Sequence, residues 1–444
     1  MNCISDWRIR MNTRRNAVLP GRYQCLFILA LSWFTACGAP ASDSSVNDAG
    51  SKYQIEYSVR PNPEAGLVEV EMRLQQTAKL LRELQFRFDP QRISGFDGDG
   101  DISIEGSRAR WNPPDDGGSL RWQVRPAHQR GNNGYDAWLD VRWGLFRAED
   151  IIPRAATRTR KGATSETRWT FELPHDWSVV TQYSGRDGHY SINNPKRRFD
   201  QPSGWMVMGR LGVRRDTIAG VRVAIAGPVD NAVRRLDMLA LLNWTLPELA
   251  SLLPAMPRRL TIISAGDPMW RGGLSAPQSL YIHADRPLIS ENGTSTLLHE
   301  LVHIVLGLKA ENGHDWIVEG IAEYYGLELL RRSGSLSAKR SKRAKSAIAK
   351  WAESAPTLCG DPSTGARTAL AVTVLTALDE EIRSKTDGAA SLDSVVAELV
   401  AIDDTIDLNT LRTITTSLLA DSAETLQVEN LPGCRSMAAT IDQT

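Results

Sequence analysis

The chain has no surplus of either charge: 52 Lys and Arg stand against 52 Asp and Glu over 444 residues. Attraction to nucleic acid or to an acidic polymer is therefore not written into its composition, and no nucleic-acid partner is expected. Cysteine is scarce, with only Cys3, Cys25, Cys37, Cys359 and Cys434, which excludes a small disulfide-dense scaffold. There is no internal repeat, which excludes a solenoid. Neither tyrosine nor histidine occurs after Tyr325. What remains is a globular mixture, 42% hydrophobic and 23% charged, in a chain too long for one core, so several domains are expected.

The first residues carry an address. A basic start at Arg14 and Arg15 leads into an apolar run, Leu26 to Phe34, and then small residues around Cys37. That order describes an export signal, and the run is short for a spanning helix. Phe34-Thr35-Ala36-Cys37 resembles the lipobox of bacterial lipoproteins, which implies a lipid on Cys37 and cleavage just before it. A plain secretory signal and an uncleaved anchor are the competing readings. Met11 is the expected start, because Arg14 and Arg15 follow it. Gly38 after Cys37 lacks the aspartate of inner-membrane retention, so an outer-membrane lipoprotein facing periplasm or surface is expected. Residues 38-51 read as a flexible tether. In such a compartment Cys359 and Cys434 form a candidate disulfide, with two buried thiols as the alternative.

Between 52 and 228 the pattern is short alternating runs (YQIEYSV, LVEVEMRL, LQFRF, AWLDVRW, RWTFEL, VRVAIA) broken by turn-rich stretches. Period-two alternation of this kind predicts an antiparallel β-sandwich, with the eight tryptophans from Trp111 to Trp244 filling its core. At Val229 the pattern turns helical. A central region, 229-335, then mixes helices with two strands around RRLTIISAG and SLYIHAD. Residues 336-444 read as a helical C-terminal domain whose first helix has a basic, solvated face.

The chemistry lies in the central region. His299-Glu300-Leu301-Val302-His303 is HExxH inside an apolar helix, with Thr294, Ser295 or Thr296 as N-cap. Residues four apart lie one turn apart on one face, so both imidazoles can reach a single tetrahedral ion, with Glu300 beside them as a base. A metzincin third ligand would need Gly at 306 and His at 309, but Leu306 and Lys309 stand there. His314 is one candidate for that ligand. Glu319 is the better one, since it opens a second apolar helix on which Glu323 shares its face. Glu323 would then hold a ligand imidazole by hydrogen bond.

HELVH followed by WIVEGIAEYY resembles the gluzincin zinc metallopeptidases of the aminopeptidase N and glycyl-aminopeptidase types. The resemblance implies one Zn2+ held by His299, His303 and Glu319, with Glu300 as catalytic base. It also implies a thermolysin-like α+β catalytic domain, and a peptide or protein substrate. Fifteen residues separate His303 from Glu319, a few fewer than in the aminopeptidase N group. Two departures stand out. Gly272-Gly273-Leu274-Ser275 lacks the glutamate with which the aminopeptidases bind a free amine, leaving endo- against aminopeptidase open. The tyrosine that stabilises the oxyanion is missing, with Thr368 at about its place, so Tyr281, His283, Tyr324 and Arg367 are the candidate oxyanion or substrate contacts. The strand from Leu280 to Asp285 is expected to be the sheet edge that receives substrate. The reading from a different class is a non-enzymatic or weakly active lipoprotein that binds through its β-domain.

Overall fold

A computed structural model describes residues 52-131, 134-186, 188-192 and 199-434. The export signal, Cys37 and the tether lie outside the described residues. Three β-sheets precede a mixed sheet and a run of helices. In the first, seven-stranded sheet the strand Lys52–Asn62 is central. It pairs antiparallel with Leu67–Gln75 on one side and parallel with Thr164–Phe171 on the other, Tyr57 opposite Trp169. The expected sandwich is therefore not purely antiparallel, and it is built from three sheets of seven, five and four strands. A parallel pair needs a long crossover, and about a hundred residues of chain supply one.

Alternation was a sound guide to strands but not to their ends. AWLDVRW divides into Tyr135–Leu139 and Trp143–Arg147, an antiparallel hairpin. Its turn is held by Asp140, whose carboxylate accepts from the N–H groups of Arg142 and Trp143 at 2.8 and 3.1 Å. One helical turn follows, α1 (Ala148–Ile151). Trp111, Trp122 and Trp169 fill the core of this region, and Trp143 and Trp205 the core below it. Trp244 is 61% exposed instead, on the outer face of a helix.

The central sheet joins Leu211–Ile218, Val221–Pro228, Arg259–Ala265, Ser279–His283 and Gly273–Ala276, in that spatial order. Val221–Pro228, read above as part of the N-terminal region, pairs parallel with Arg259–Ala265, so this sheet begins before residue 228. The edge strand is Gly273–Ala276, which runs antiparallel to its neighbour; Ser279–His283, expected at the edge, is covered on both sides.

One face of this sheet (Leu280, Ile282) packs on the helices and the other (Ile263, Tyr281) on Trp205 and Val207. The helices are α2 (Arg235–Ala250), α3 (Thr296–Leu306), α4 (Asp315–Arg332), α5 (Ala338–Ala352), α6 (Ala366–Lys385), α7 (Leu392–Val400) and α8 (Leu408–Leu419). Gly320 lets α4 and α6 approach closely, since a Cβ there would meet that of Ala371 at 2.7 Å. The basic helix α5 presents most of its lysines to solvent, but Lys345 reaches the buried Glu328 of α4 at 3.0 Å. Cys359 and Cys434 are joined in a disulfide. Among the described residues no helix is long and apolar enough to cross a membrane.

Candidate metal centre

Helices α3 and α4 build the centre. Ser295 caps α3 by accepting from the Leu298 N–H, and Gly307, in the left-handed region at φ 63°, ends it. Leu297, Leu298, Leu301 and Val302 are buried on its core side. This turns His299 and His303 together toward α4, where Ile317 and Ile321 are buried and Glu319 and Glu323 lie one turn apart.

The polar tips converge. His299 Nε2 is 3.1 Å from His303 Nε2. Glu319 Oε2 is 3.3 Å from His299 Nε2, and its Oε1 is 3.4 Å from His303 Nε2. These spacings fit a metal. Zinc bonds of about 2.0–2.1 Å require ligand atoms about 3.3–3.4 Å apart along the edges of a tetrahedron. Among the described residues these three are the group whose ligand atoms close into such a cluster. Glu323 Oε2 lies 3.0 Å from His299 Nδ1. Accepting from Nδ1–H there would hold the ring in the tautomer that leaves Nε2 free to ligate a metal.

Electrostatics favour a cation at the same place. Burial opposes a charge on His299, yet hydrogen bonds to Glu319 and Glu323 raise its affinity for a proton well above the usual imidazole range. Burial likewise opposes ionisation of Glu319, while the two histidines hold its carboxyl well below the usual range. Two carboxylates around one small space thus demand a positive charge, which a proton on His299 or a metal ion satisfies. Glu300 is 9% exposed. Burial pushes its carboxyl up, against the opposing pull of His299, His303 and a hydrogen bond from Ser275, which suits a group that takes and returns a proton.

Ser275 and Gly273 are partners that sequence reasoning did not assign. A Cβ at position 273 would lie 2.7 Å from Thr296 Cγ2 and 2.8 Å from Glu300 Cγ. Only glycine lets the edge strand pass this close to α3. Strand parity was the available signal, because Gly273 and Ser275 pair with Ile282 and Leu280, whose side chains must face the helices.

The candidate oxyanion contacts do not join this cluster. Tyr281 is fully buried on the opposite face of the sheet, its hydroxyl donating to Trp270 O at 2.9 Å. His283 is buried on that same face and accepts from the Asp285 N–H. The Tyr324 hydroxyl is engaged with Asp379. Arg367 donates to the carbonyls of Thr357, Gly360 and Pro362. His314 precedes α4 as its N-cap, outside the cluster. Thr368, where the family tyrosine is expected, lines a cleft of about 390 Å3 together with Glu323, Ile348 and Trp351.

No protein-family profile and no curated protein matches the sequence. Solved structures do. An aminopeptidase N family protein from Idiomarina loihiensis is 17% identical, with 78% of this chain and 70% of that one aligned at a TM-score of 0.58. An M1 zinc metallopeptidase from Deinococcus radiodurans, solved as a mutant bound to a Tyr-Ser-Ala substrate, is 16% identical over 86% of this chain and 96% of its own, at 0.53. Yeast LTA4 hydrolase in complex with bestatin is 15% identical over 89% and 71%, at 0.52. The chain, with its β-rich N-terminal region of several sheets followed by helices, shares its fold with these solved structures.

Proposed function

We propose that this chain is a zinc-dependent peptidase with a thermolysin-like catalytic region, exported and anchored to the cell envelope through a lipid on Cys37. The observation that carries the enzymatic reading is the triangle of His299, His303 and Glu319, with edges of 3.1 to 3.4 Å, beside a buried carboxylate. A purely structural zinc site needs no base, and Glu300 is one. Zinc held by these three residues would polarise a scissile carbonyl and acidify water. Glu300 accepts the proton at its carboxylate and delivers it to the leaving amine. Glu323 keeps His299 in the ligating tautomer. An extended peptide adds to Gly273–Ala276, the sheet edge nearest Glu300. Ser275 replaces the amine-binding glutamate of the resembling aminopeptidases, so a blocked N-terminus is accepted as readily as a free one.

The test is Glu300→Gln. It keeps stoichiometric zinc by elemental analysis while peptide cleavage falls roughly a hundred- to ten-thousand-fold. Equal cleavage of a broad peptide library by wild type and variant overturns the proposal. The anchor is tested separately, by incorporation of a labelled fatty acid that Cys37→Ser abolishes.

A further inference from the structure

The central sheet has a second feature, remote in chemistry from the metal centre. Directly paired residues on adjacent strands project to one face. Arg222 pairs with Thr217 on one neighbour and with Arg259 on the other, while Ala224 pairs with Arg215 and Thr261. Three arginines and two threonines from three strands therefore share one face, with the small Ala224 between them. Further along the same strands this face is closed by Trp205 and Val207 against Ala226 and Ile263. At the arginine end it stands open as a cleft of about 550 Å3, whose far wall includes Val179, Tyr183 and Tyr190.

The charges there are unbalanced. Among the described residues no carboxylate forms an ion pair with Arg215, Arg222 or Arg259. Asp216, the one acidic residue among the described residues that line the cleft, projects to the other face, and its carboxylate accepts from the Thr217 N–H. Arg222 and Arg259 face each other across a parallel pair, an arrangement that is destabilising without a counter-ion. Burial and the Arg222 charge both press on Arg259 toward loss of its proton.

We propose that this cleft, between the N-terminal β-region and the central sheet, binds a phosphate-bearing anion through Arg215, Arg222 and Arg259, with Thr217 and Thr261 as neutral donors. Guanidinium forks match the oxygen spacing of phosphate, and three of them on strands about 4.8 Å apart span more than one small ion. A phospholipid headgroup and a soluble phosphate share this chemistry. The proposal does not rest on peptidase activity and is read without it.

The experiment uses the full chain, with inorganic phosphate as probe and chloride at matched ionic strength as reference. Phosphate is expected to raise the melting temperature saturably. Arg222→Gln combined with Arg259→Gln is expected to weaken the apparent Kd at least about tenfold. Arg214→Gln, on the opposite face of the same sheet, leaves it within about twofold. The melting temperature of the double variant without phosphate reports that it folds. Cosedimentation with phosphatidylglycerol vesicles but not phosphatidylcholine vesicles, reversed by phosphate, assigns the headgroup as the source. A phosphate response without cosedimentation assigns a soluble ligand. No saturable gain over chloride in wild type, or an equal gain in both variants, overturns the proposal.

Discussion

Replacing Glu323 with glutamine separates the proposed zinc ligands from the residue proposed to position one. Glu323 Oε2 lies 3.0 Å from His299 Nδ1 and would touch a metal held by His299, His303 and Glu319 only through the imidazole. A unit charge acting across the ring, about 6–7 Å from a cation, is worth roughly 2.5 kcal/mol at an effective dielectric of 20. That corresponds to a tenfold to hundredfold loss of metal affinity, the usual range for such partners. Zinc affinity is measured by competition with a chromophoric chelator at pH 7, with Glu319→Gln in parallel. Glu319→Gln should be the more severe, because it removes the direct contact. At saturating zinc Glu323→Gln should recover most of its turnover, since Glu300 is untouched. An affinity within twofold of wild type refutes the positioning role. A Glu323→Gln loss larger than that of Glu319→Gln reverses the two assignments.

Three further outcomes follow from other contacts. Gly273→Ala forces a Cβ into Thr296 and Glu300, so turnover should fall about tenfold to a hundredfold with zinc content unchanged, read by kinetics alongside elemental analysis. Breaking the Cys359–Cys434 disulfide, which spans 75 residues, should lower stability by up to about 4.5 kcal/mol in the chain-entropy account, measured by urea unfolding of the double serine variant. Burial opposes ionisation of Glu381, but Lys385 and the Thr425 and Glu424 N–H groups hold its carboxyl down at about 2. The unfolded state then binds the proton first, so the stability is present above about pH 4.5 and is lost as pH falls toward 2. Wild type should exceed Glu381→Gln by roughly 1–2 kcal/mol at pH 7, with the gap closing over that window; a gap constant with pH sinks the reasoning.

What was legible in the sequence was local. HExxH and the Glu319–Glu323 spacing each fit within one or two helical turns, where a 3.6-residue period fixes which side chains meet. The apolar stripe and the cap confirm the helix from within. The sheets depend on partners far along the chain, and alternation says nothing about them. It did not reveal that Lys52–Asn62 runs parallel to Thr164–Phe171, nor that Val221–Pro228 leaves the N-terminal sheets for the central one. It also read through the turn at Asp140, because the residues on both sides of it keep the period.

The same distinction explains the oxyanion candidates. Tyr324 follows Glu323 by one residue, and about 100° of helix rotation carries it away from the metal centre to Asp379. Tyr281 and His283 have the parity of Ile263 and Trp205's core, while Leu280 and Ile282 have the parity of α3. Arg367 spends its donors on the loop that precedes α6. Each of these side chains is therefore held within the fold away from the cluster of His299, His303 and Glu319. On the proposed mechanism, water activation would need only α3, α4 and the edge strand at Gly273 and Ser275. Oxyanion stabilisation in the resembling enzymes draws on the helical part that follows, where Thr368 stands. Losing one such donor costs on the order of a hundred- to a thousandfold in rate and nothing in zinc binding. On the proposed mechanism the two halves of the chemistry would thus be carried by different segments of this chain, and residues from Ala366 onward would set its speed without disturbing metal binding.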